Sequence, residues 1–491
     1  MASADREPFL AKEERQEAKT SQEDVYLTQV RNGNLYLAAF SAILASMSCG
    51  FALGYSSPTI ADLKIFRYER LRMNELDAVW FGSALALGAA VGAVMAVWLV
   101  NTIGRKMSLV LSSLPFLFGF TVIIGSPSVW VLCIGRLIAG VGVGMASLLV
   151  PIYVAEIAHR KNKRVLISCI PLMVVVGILG VYVAGLMFPW RWLVLACCVP
   201  PFMMLLAMIM MPETPRFLLK QKRRAEALNA LAFLRGPDVD HEWEANQIEE
   251  SIGFWENTSY LTDLKDPTIY KPLILGSSLR IFQQLTGICA VIFYSEIIFA
   301  DSNFEDSSLA ALIVAGILLL FAVVSLFVVE KTGRRVLLII SAVIMMVSTA
   351  LLAVFLKLSP SKEEEQEKKP SSFSKTNSDL DWMAICSVGT FVAGFGLGWG
   401  PVPVLVISEM FPLRVRVGAT GFCLLICWAF AFLVTMSFID IMTGLSAFGA
   451  FLFFSIFCVL NIIFVVTLLP ETKGKTLEEM AAYFRKKSRK K

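Results

Sequence analysis

Histidine is nearly missing from this chain: there are two in 491 residues, His159 and His241. Neither stands in a metal-ligand spacing, so both read as surface residues and no metal centre is called for. No nucleophile, base and orienting group share a recognisable motif, which disfavours an enzyme, and no cofactor fingerprint is present. Charge is scarce as well. Only 17 % of residues are charged against 56 % hydrophobic, and the mean hydropathy is +0.68. One soluble core cannot cover that much apolar surface, so the chain reads as a membrane protein. The leader "DREPFLAKEERQEAKTSQEDVYLTQVRNGN" lacks a short apolar core with a small-residue cleavage site behind it, which excludes a cleaved signal peptide. Cysteine is absent outside the apolar runs. All ten, from Cys49 to Cys458, fall inside them, which argues against a disulfide framework.

What is present is a series of nearly uncharged runs, each about 20 residues long, the length that crosses roughly 30 Å of hydrocarbon. Twelve are counted between residues 35 and 469. The predicted fold class is therefore an all-α membrane protein of twelve transmembrane helices. The division is a leader 1–34, a six-helix bundle 35–211, a helical insert 212–272, a second six-helix bundle 273–469 and a tail 470–491. Basic loops "HRKNKR", "KQKRR" and "KTGRR" and the tail "RKKSRKK" follow even-numbered runs, whereas "EDSS" and "KEEEQEKK" follow odd-numbered ones. Positive-inside then places both termini and the insert in the cytoplasm. The net charge of +5 is thereby a topology signal, and no nucleic-acid partner is indicated.

The two halves echo one another. "NTIGRK" (101–106) returns as "EKTGRR" (330–335), "VAEIA" (154–158) as "ISEMF" (407–411), and "PETPR" (212–216) as "PETKGK" (470–475). Such parallel repeats belong to transporters whose halves rock about a central site. Arg105, Glu156, Glu213, Arg334, Glu409 and Glu471 recur at helix ends, where opposite charges can pair across helices and hold an inner gate shut; Arg136 and Arg416 are added to this network. Plain interfacial anchoring is the alternative. Gly88, Gly92, Gly140 and Gly144 have the four-residue spacing that lets helices approach closely. "GFGLGWGPVP" cannot run as a regular helix through Pro401 and Pro403. Gln283 and Gln284 place two amides inside an otherwise apolar run, which demands either a polar neighbouring helix or a wet cavity.

"GRLIAG", "PETPRFLL", "QQLTGI", "GWGPVP" and "PETKGKT" resemble the signatures of the sugar-transporter family within the major facilitator superfamily, from about residue 35 to 483. "FALGYSSPTI" and the loop lengths are similar to its class III facilitative glucose transporters. The resemblance implies two six-helix pseudo-repeats and passive hexose uniport by alternating access. It also implies a solute site of Gln283, Gln284, Cys289, Tyr294, Phe395, Trp399 and Trp428. Five positions depart from its pattern of sugar contacts: Pro171, Cys289, Leu319, Val404 and Cys427. Each lost hydrogen-bond partner removes about 0.5–1.5 kcal/mol. A carrier of another solute, such as a polyol or an organic anion, and a non-transporting sensor therefore stand beside the hexose carrier. Arg280, one turn before Gln284, either has a structural role or gives the cavity a donor for an anion. The first run holds no Asp or Glu, where proton-coupled relatives carry their titrating group, which favours passive transport. "DREPFL" (5–10) resembles an acidic dileucine signal, making a sorting adaptor a candidate partner and an endosomal or lysosomal membrane an alternative to the plasma membrane.

Overall fold

The computed structural model describes residues 26, 30–64, 71–237, 239–253, 266–293, 307–358, 381–412, 414–475 and 477–489. Among these residues it is entirely helical. The first half contains α1 (Gly33–Gly54), its continuation α2 (Ser56–Lys64), α3 (Glu75–Thr102), α4 (Arg105–Ile124), α5 (Val129–Ile157), α6 (Arg160–Met187) and α7 (Trp190–Met210). Three short helices follow: α8 (Pro215–Lys220), α9 (Arg224–Arg235) and α10 (His241–Gly253). The second half holds α11 (Pro267–Leu285), α12 (Ser307–Thr332), α13 (Arg334–Leu358), α14 (Asp381–Gly394), a π-helical turn (Phe395–Trp399), α15 (Val402–Met410) and α16 (Arg416–Thr467); α17 (Leu477–Arg489) closes the chain.

Ten helices among the described residues are long and apolar enough to span a bilayer. The 52-residue α16 breaks at Ser446 (φ 64°) and so supplies two crossings. The remaining segment is α11, which carries Lys271, Arg280 and the glutamine pair and is interrupted by Gly287 (φ 85°) before a short helical stretch at 288–293. The chain is a multi-pass membrane protein.

Local chemistry sets the helix starts. The Asp77 carboxylate accepts the Asn74 backbone N–H at 3.1 Å ahead of α3, and Asp266 accepts from Thr268 N at 2.9 Å ahead of Pro267, whose missing N–H costs nothing at that position. Close backbone approach builds the first half. A Cβ on Gly88 would lie 2.0 Å from Leu137 O, on Gly92 2.1 Å from Val141 O, on Gly140 2.2 Å from Leu85 O and on Gly144 2.0 Å from Ala89 O, so α3 and α5 touch through these four glycines.

The insert helices share a small core of Leu218, Leu219, Ala227, Ala230, Leu231 and Ala245. Arg235 ties this unit to the bundle and to itself. Its Nη1 donates to Ile157 O at 2.9 Å, while Nε and Nη2 grip the Glu244 carboxylate at 3.0 and 2.7 Å. The Tyr26 hydroxyl donates to the same carboxylate, and its ring lies 5.0 Å from that of Trp243. Burial alone would raise the Glu244 pKa, but the guanidinium and the phenol hold it below the usual carboxylate range. His159 is half-buried rather than on the surface, with Nε2 2.8 Å from Asn32 Oδ1.

Candidate functional site

A cavity of about 1230 Å³ lies between the halves. One wall comes from α1, α5 and α6, the other from α11, the π turn, α15 and α16, and the cavity reaches the insert at Lys220 and Ile252. At its other end the halves meet. The Tyr182 hydroxyl donates across the seam to Ile292 O at 2.8 Å, Ser83 Oγ lies 3.6 Å from Met436 Sδ, and the rings of Trp80 and Phe432 are 6.4 Å apart. The cavity is thus open toward the insert face and closed toward the opposite one.

The glutamines owe part of their setting to the two prolines downstream. In a regular helix the carbonyls of Leu397 and Trp399 would accept from the N–H groups four residues on, but those residues are Pro401 and Pro403, which have none. Side chains take over. Ser325 Oγ donates to Leu397 O at 2.7 Å and Gln283 Nε2 to Trp399 O at 2.6 Å. Gln283 Oε1 in turn accepts from Arg280 Nη1 at 2.8 Å. Gln284 Nε2 donates to Cys427 Sγ, and Cys289 Sγ donates to Gln284 Oε1, each at 3.1 Å. Both glutamines line the cavity, and each amide keeps one N–H and one oxygen lone pair uncommitted by these bonds.

Of the other expected solute contacts, Cys289, Phe395 and Trp428 line the cavity, and Tyr294 lies outside the described residues. Trp399 does not line it. The π turn swings the indole into the packing against α13, fully buried with Nε1 donating to Leu338 O at 3.1 Å, so only the Trp399 carbonyl addresses the site, through Gln283. Pro171, Val404 and Cys427 also form the wall, whereas the wall residue beside Leu319 is Leu318.

Residues 38–484 match the family model described as "Sugar (and other) transporter". The chain belongs to this family of transporters. It is 45 % identical over 460 residues to the solute carrier family 2, facilitated glucose transporter member 8 of Bos taurus, covering 92 % of this chain and 95 % of the relative. It is 34 % identical over 466 residues to member 6 of Mus musculus, covering 93 % and 92 %, and 31 % identical over 452 residues to the facilitated trehalose transporter Tret1 of Culex quinquefasciatus, covering 90 % and 84 %. Among solved structures, the proton:xylose symporter XylE bound to 6-bromo-6-deoxy-D-glucose superposes with a TM-score of 0.75 at 24 % identity, covering 92 % of this chain and 100 % of that one. The inward open conformation of XylE from E. coli gives 0.72 at 24 %, covering 91 % and 99 %. The fold is that of the major facilitator superfamily, and the family is one of transporters rather than enzymes.

The transporter repeats its charge network atom for atom in the two halves. In the first, Arg105 Nη2 donates to Glu156 Oε1 at 2.8 Å, Thr214 Oγ1 to Glu156 Oε2 at 2.7 Å, and the backbone N–H groups of Arg105, Lys106 and Thr214 to Glu213 at 2.9–3.1 Å. In the second, Arg334 Nη2 donates to Glu409 Oε1 at 2.8 Å, Thr472 Oγ1 to Glu409 Oε2 at 2.6 Å, and the backbone N–H groups of Arg334, Arg335 and Thr472 to Glu471 at 3.0–3.1 Å. Gly104 and Gly333, at φ 95° and 93°, turn the chain so that α4 and α13 begin on those carboxylates; a Cβ on Gly104 would stand 2.5 Å from Glu213 Oε2. Glu213 and Glu471 diverge in titration. Burial pushes Glu213 up despite its backbone donors, whereas at the less enclosed Glu471 burial is outweighed and the backbone N–H groups hold it below the usual carboxylate range.

Two members of the expected network stand elsewhere. Arg136 is not near Glu156, because the two lie 20 residues apart on one helix, roughly 30 Å along its axis. It is fully buried near the opposite face, where its guanidinium donates to Ala52 O, Ser56 Oγ and Phe81 O and lies over the Phe81 ring at 5.1 Å. Arg416 lines the cavity mouth and donates to Phe411 O at 3.1 Å; among the described residues it forms no ion pair, since the acid facing it across the mouth, Glu156, is held by Arg105 and Thr214. The pairs that do form, Arg105–Glu156 and Arg334–Glu409, each stay within one half and do not bar the open mouth.

Residues that the sequence reading passed over also matter. Thr214 and Thr472 follow the glutamates inside both "PET" echoes, so the repeat itself carried their signal. Lys163 and Arg216 join Arg416 at the mouth, and burial lowers the Arg216 pKa. Tyr182 had no signal beyond a hydroxyl in an apolar run.

Proposed function

We propose that the transporter carries a hexose-sized sugar passively, by alternating access, with Gln283 and Gln284 at the solute site. The observation that carries this reading is the glutamine pair, with donor and acceptor capacity to spare, on the wall of a cavity between two repeats that opens toward one face only. A hexose hydroxyl both donates and accepts, which suits an amide. The relatives named as facilitated glucose transporters support the same assignment. Passive uniport is supported by the absence of Asp and Glu from α1.

In this scheme the leader, the insert face and the tail are cytoplasmic, following the alternation of basic loops, and the open state is inward-facing. Closure of the mouth brings Arg416 of the second half against Glu156 of the first, and Lys163 against Glu409, as the gating pairs. Residence in an endosomal or lysosomal membrane rests on the leader motif 5–10, which lies outside the described residues, and on recognition by a sorting adaptor. Replacing Phe9 and Leu10 with alanine tests it by the surface fraction of a tagged protein.

The purified full chain in proteoliposomes tests the central reading. Radiolabelled hexose is expected to enter saturably, to equilibrate without accumulating, and to keep its initial rate when a protonophore is added at fixed pH. Failure of every sugar to enter saturably overturns sugar carriage. Accumulation that collapses with the proton gradient overturns uniport.

A further inference from the structure

The charge lining the cavity is one-sided. Both amide oxygens already accept, Gln283 Oε1 from Arg280 and Gln284 Oε1 from Cys289. Among the described residues the carboxylates on the wall are Glu156 and Glu409, each taken by an arginine and a threonine. Donors remain as well. Each amide keeps one N–H, and among the described residues Trp428 Nε1 and Arg280 Nε make no hydrogen bond. Pro171 and Val404 offer no side-chain polar atom, whereas Ser46, Asn101, Ser147, Ser408 and Thr420 add uncharged polar groups to the wall.

Charge points the same way. Arg280 lies in a membrane-spanning helix with 7 % of its surface exposed, and among the described residues its polar partners are the neutral Gln283 amide and the Cys427 thiol rather than a carboxylate. A cation buried without a counter-charge is expensive, and such groups inside membranes are found where they serve a solute or an ion. The wall around the mouth adds Lys163, Arg216, Arg414 and Arg416, so the approach to the cavity is cationic as well.

A neutral hydroxyl can pair with these groups but leaves the Arg280 charge without a counter-charge. A carboxylate only accepts. We propose that the carried sugar bears one carboxylate, as a hexuronate or an aldonate does, with the carboxylate against Arg280 and the hydroxyls on the spare amide groups of Gln283 and Gln284. This rests on the reading that the chain carries a sugar and names the class of that sugar. Cys289 and Cys427 then act as specificity determinants by occupying Gln284 on both sides.

The test uses the full chain in proteoliposomes with the potential set by potassium and valinomycin, and compares glucuronate, gluconate, glucose and glucose 6-phosphate. Glucuronate or gluconate is expected to enter in preference to glucose and to compete for its entry. An inside-positive potential of about 100 mV should concentrate the carried monoanion roughly 50-fold, since one charge is moved per cycle. Arg280→Gln should lower sugar-acid uptake by at least about 10-fold and reverse the preference toward glucose. Saturable, potential-independent glucose uptake that neither sugar acid inhibits overturns the proposal and leaves sugar carriage intact. Preference for glucose 6-phosphate overturns the carboxylate assignment. No saturable uptake of any of the four overturns both readings. The competition and potential arms need no variant, so a poorly folding Arg280→Gln protein does not decide the outcome.

Discussion

Replacing Glu156 with glutamine removes one charge while keeping the side chain's shape. The new amide oxygen still accepts from Arg105 Nη2, at 2.8 Å from the present carboxylate oxygen, and Thr214 Oγ1 can turn to accept from the amide nitrogen. What is lost is the attraction between opposite charges whose side chains are only 8 % and 12 % exposed. At about 4 Å and an effective dielectric near 20, that attraction is roughly 4 kcal/mol, and the retained hydrogen bonds bring the expected loss to about 2–3 kcal/mol. The repeat supplies an internal comparison. Glu409 makes the same contacts with Arg334 but is 27 % exposed, so screening should reduce the cost of Glu409→Gln to about 1–2 kcal/mol. Apparent melting temperatures of the purified proteins in detergent should rank parent, Glu409→Gln, Glu156→Gln from highest to lowest. Arg105→Gln combined with Glu156→Gln should recover part of the single-variant loss, because no charge is then left buried alone. An unshifted Glu156→Gln, or a double variant whose loss equals the sum of the single losses, refutes the assignment of this pair as a buried, stabilising one.

Gly140→Ala places a Cβ 2.2 Å from Leu85 O, which forces α3 and α5 apart by roughly 1 Å and should cost about 1–3 kcal/mol, read as a lower melting temperature. The two glutamines should separate by assay: Gln283→Leu strands the Trp399 carbonyl and should reduce the folded yield, whereas Gln284→Leu should keep the yield and abolish saturable uptake; equal yields refute the Pro403 argument. Because Glu244 is held below its ordinary pKa, its contribution to the clip on Tyr26 is present above the unfolded carboxylate value and is lost as pH falls through the lower folded one. Trp243 fluorescence should therefore stay flat from neutral pH to the ordinary carboxylate range and change only below it; a transition near neutrality excludes Glu244 as its source.

The repeat was legible because each echoed residue has a local partner at fixed spacing. Gly104 must turn the chain, Glu213 must cap the turn, and Thr214 must follow it, so the same letters recur wherever the same corner is built. The glycine spacings at 88, 92, 140 and 144 were legible for a similar reason: close helix approach leaves no room for a side chain. Arg136 was misplaced although the information was present, since a helix rises 1.5 Å per residue and 20 residues cannot fold back on themselves. Trp399 was not legible. The break at Pro401 and Pro403 could be read, but the direction in which a π turn throws an indole depends on the carbonyls of α13 that receive it. Arg416 has no ion pair in this open state among the described residues, because a pairing between halves depends on which face is open, a property of the state and not of the sequence.

The duplicated network also bears on how the protein is made. Every hydrogen-bond partner described for Glu156 and Glu213 lies between Arg105 and Thr214, so the first repeat has neutralised its own charges once residue 214 has left the ribosome. The second repeat is equally self-sufficient between Arg334 and Lys473. Neither of these two carboxylate clusters needs the other half to complete its partners, and the insert between them is made during the interval in which the first bundle can close.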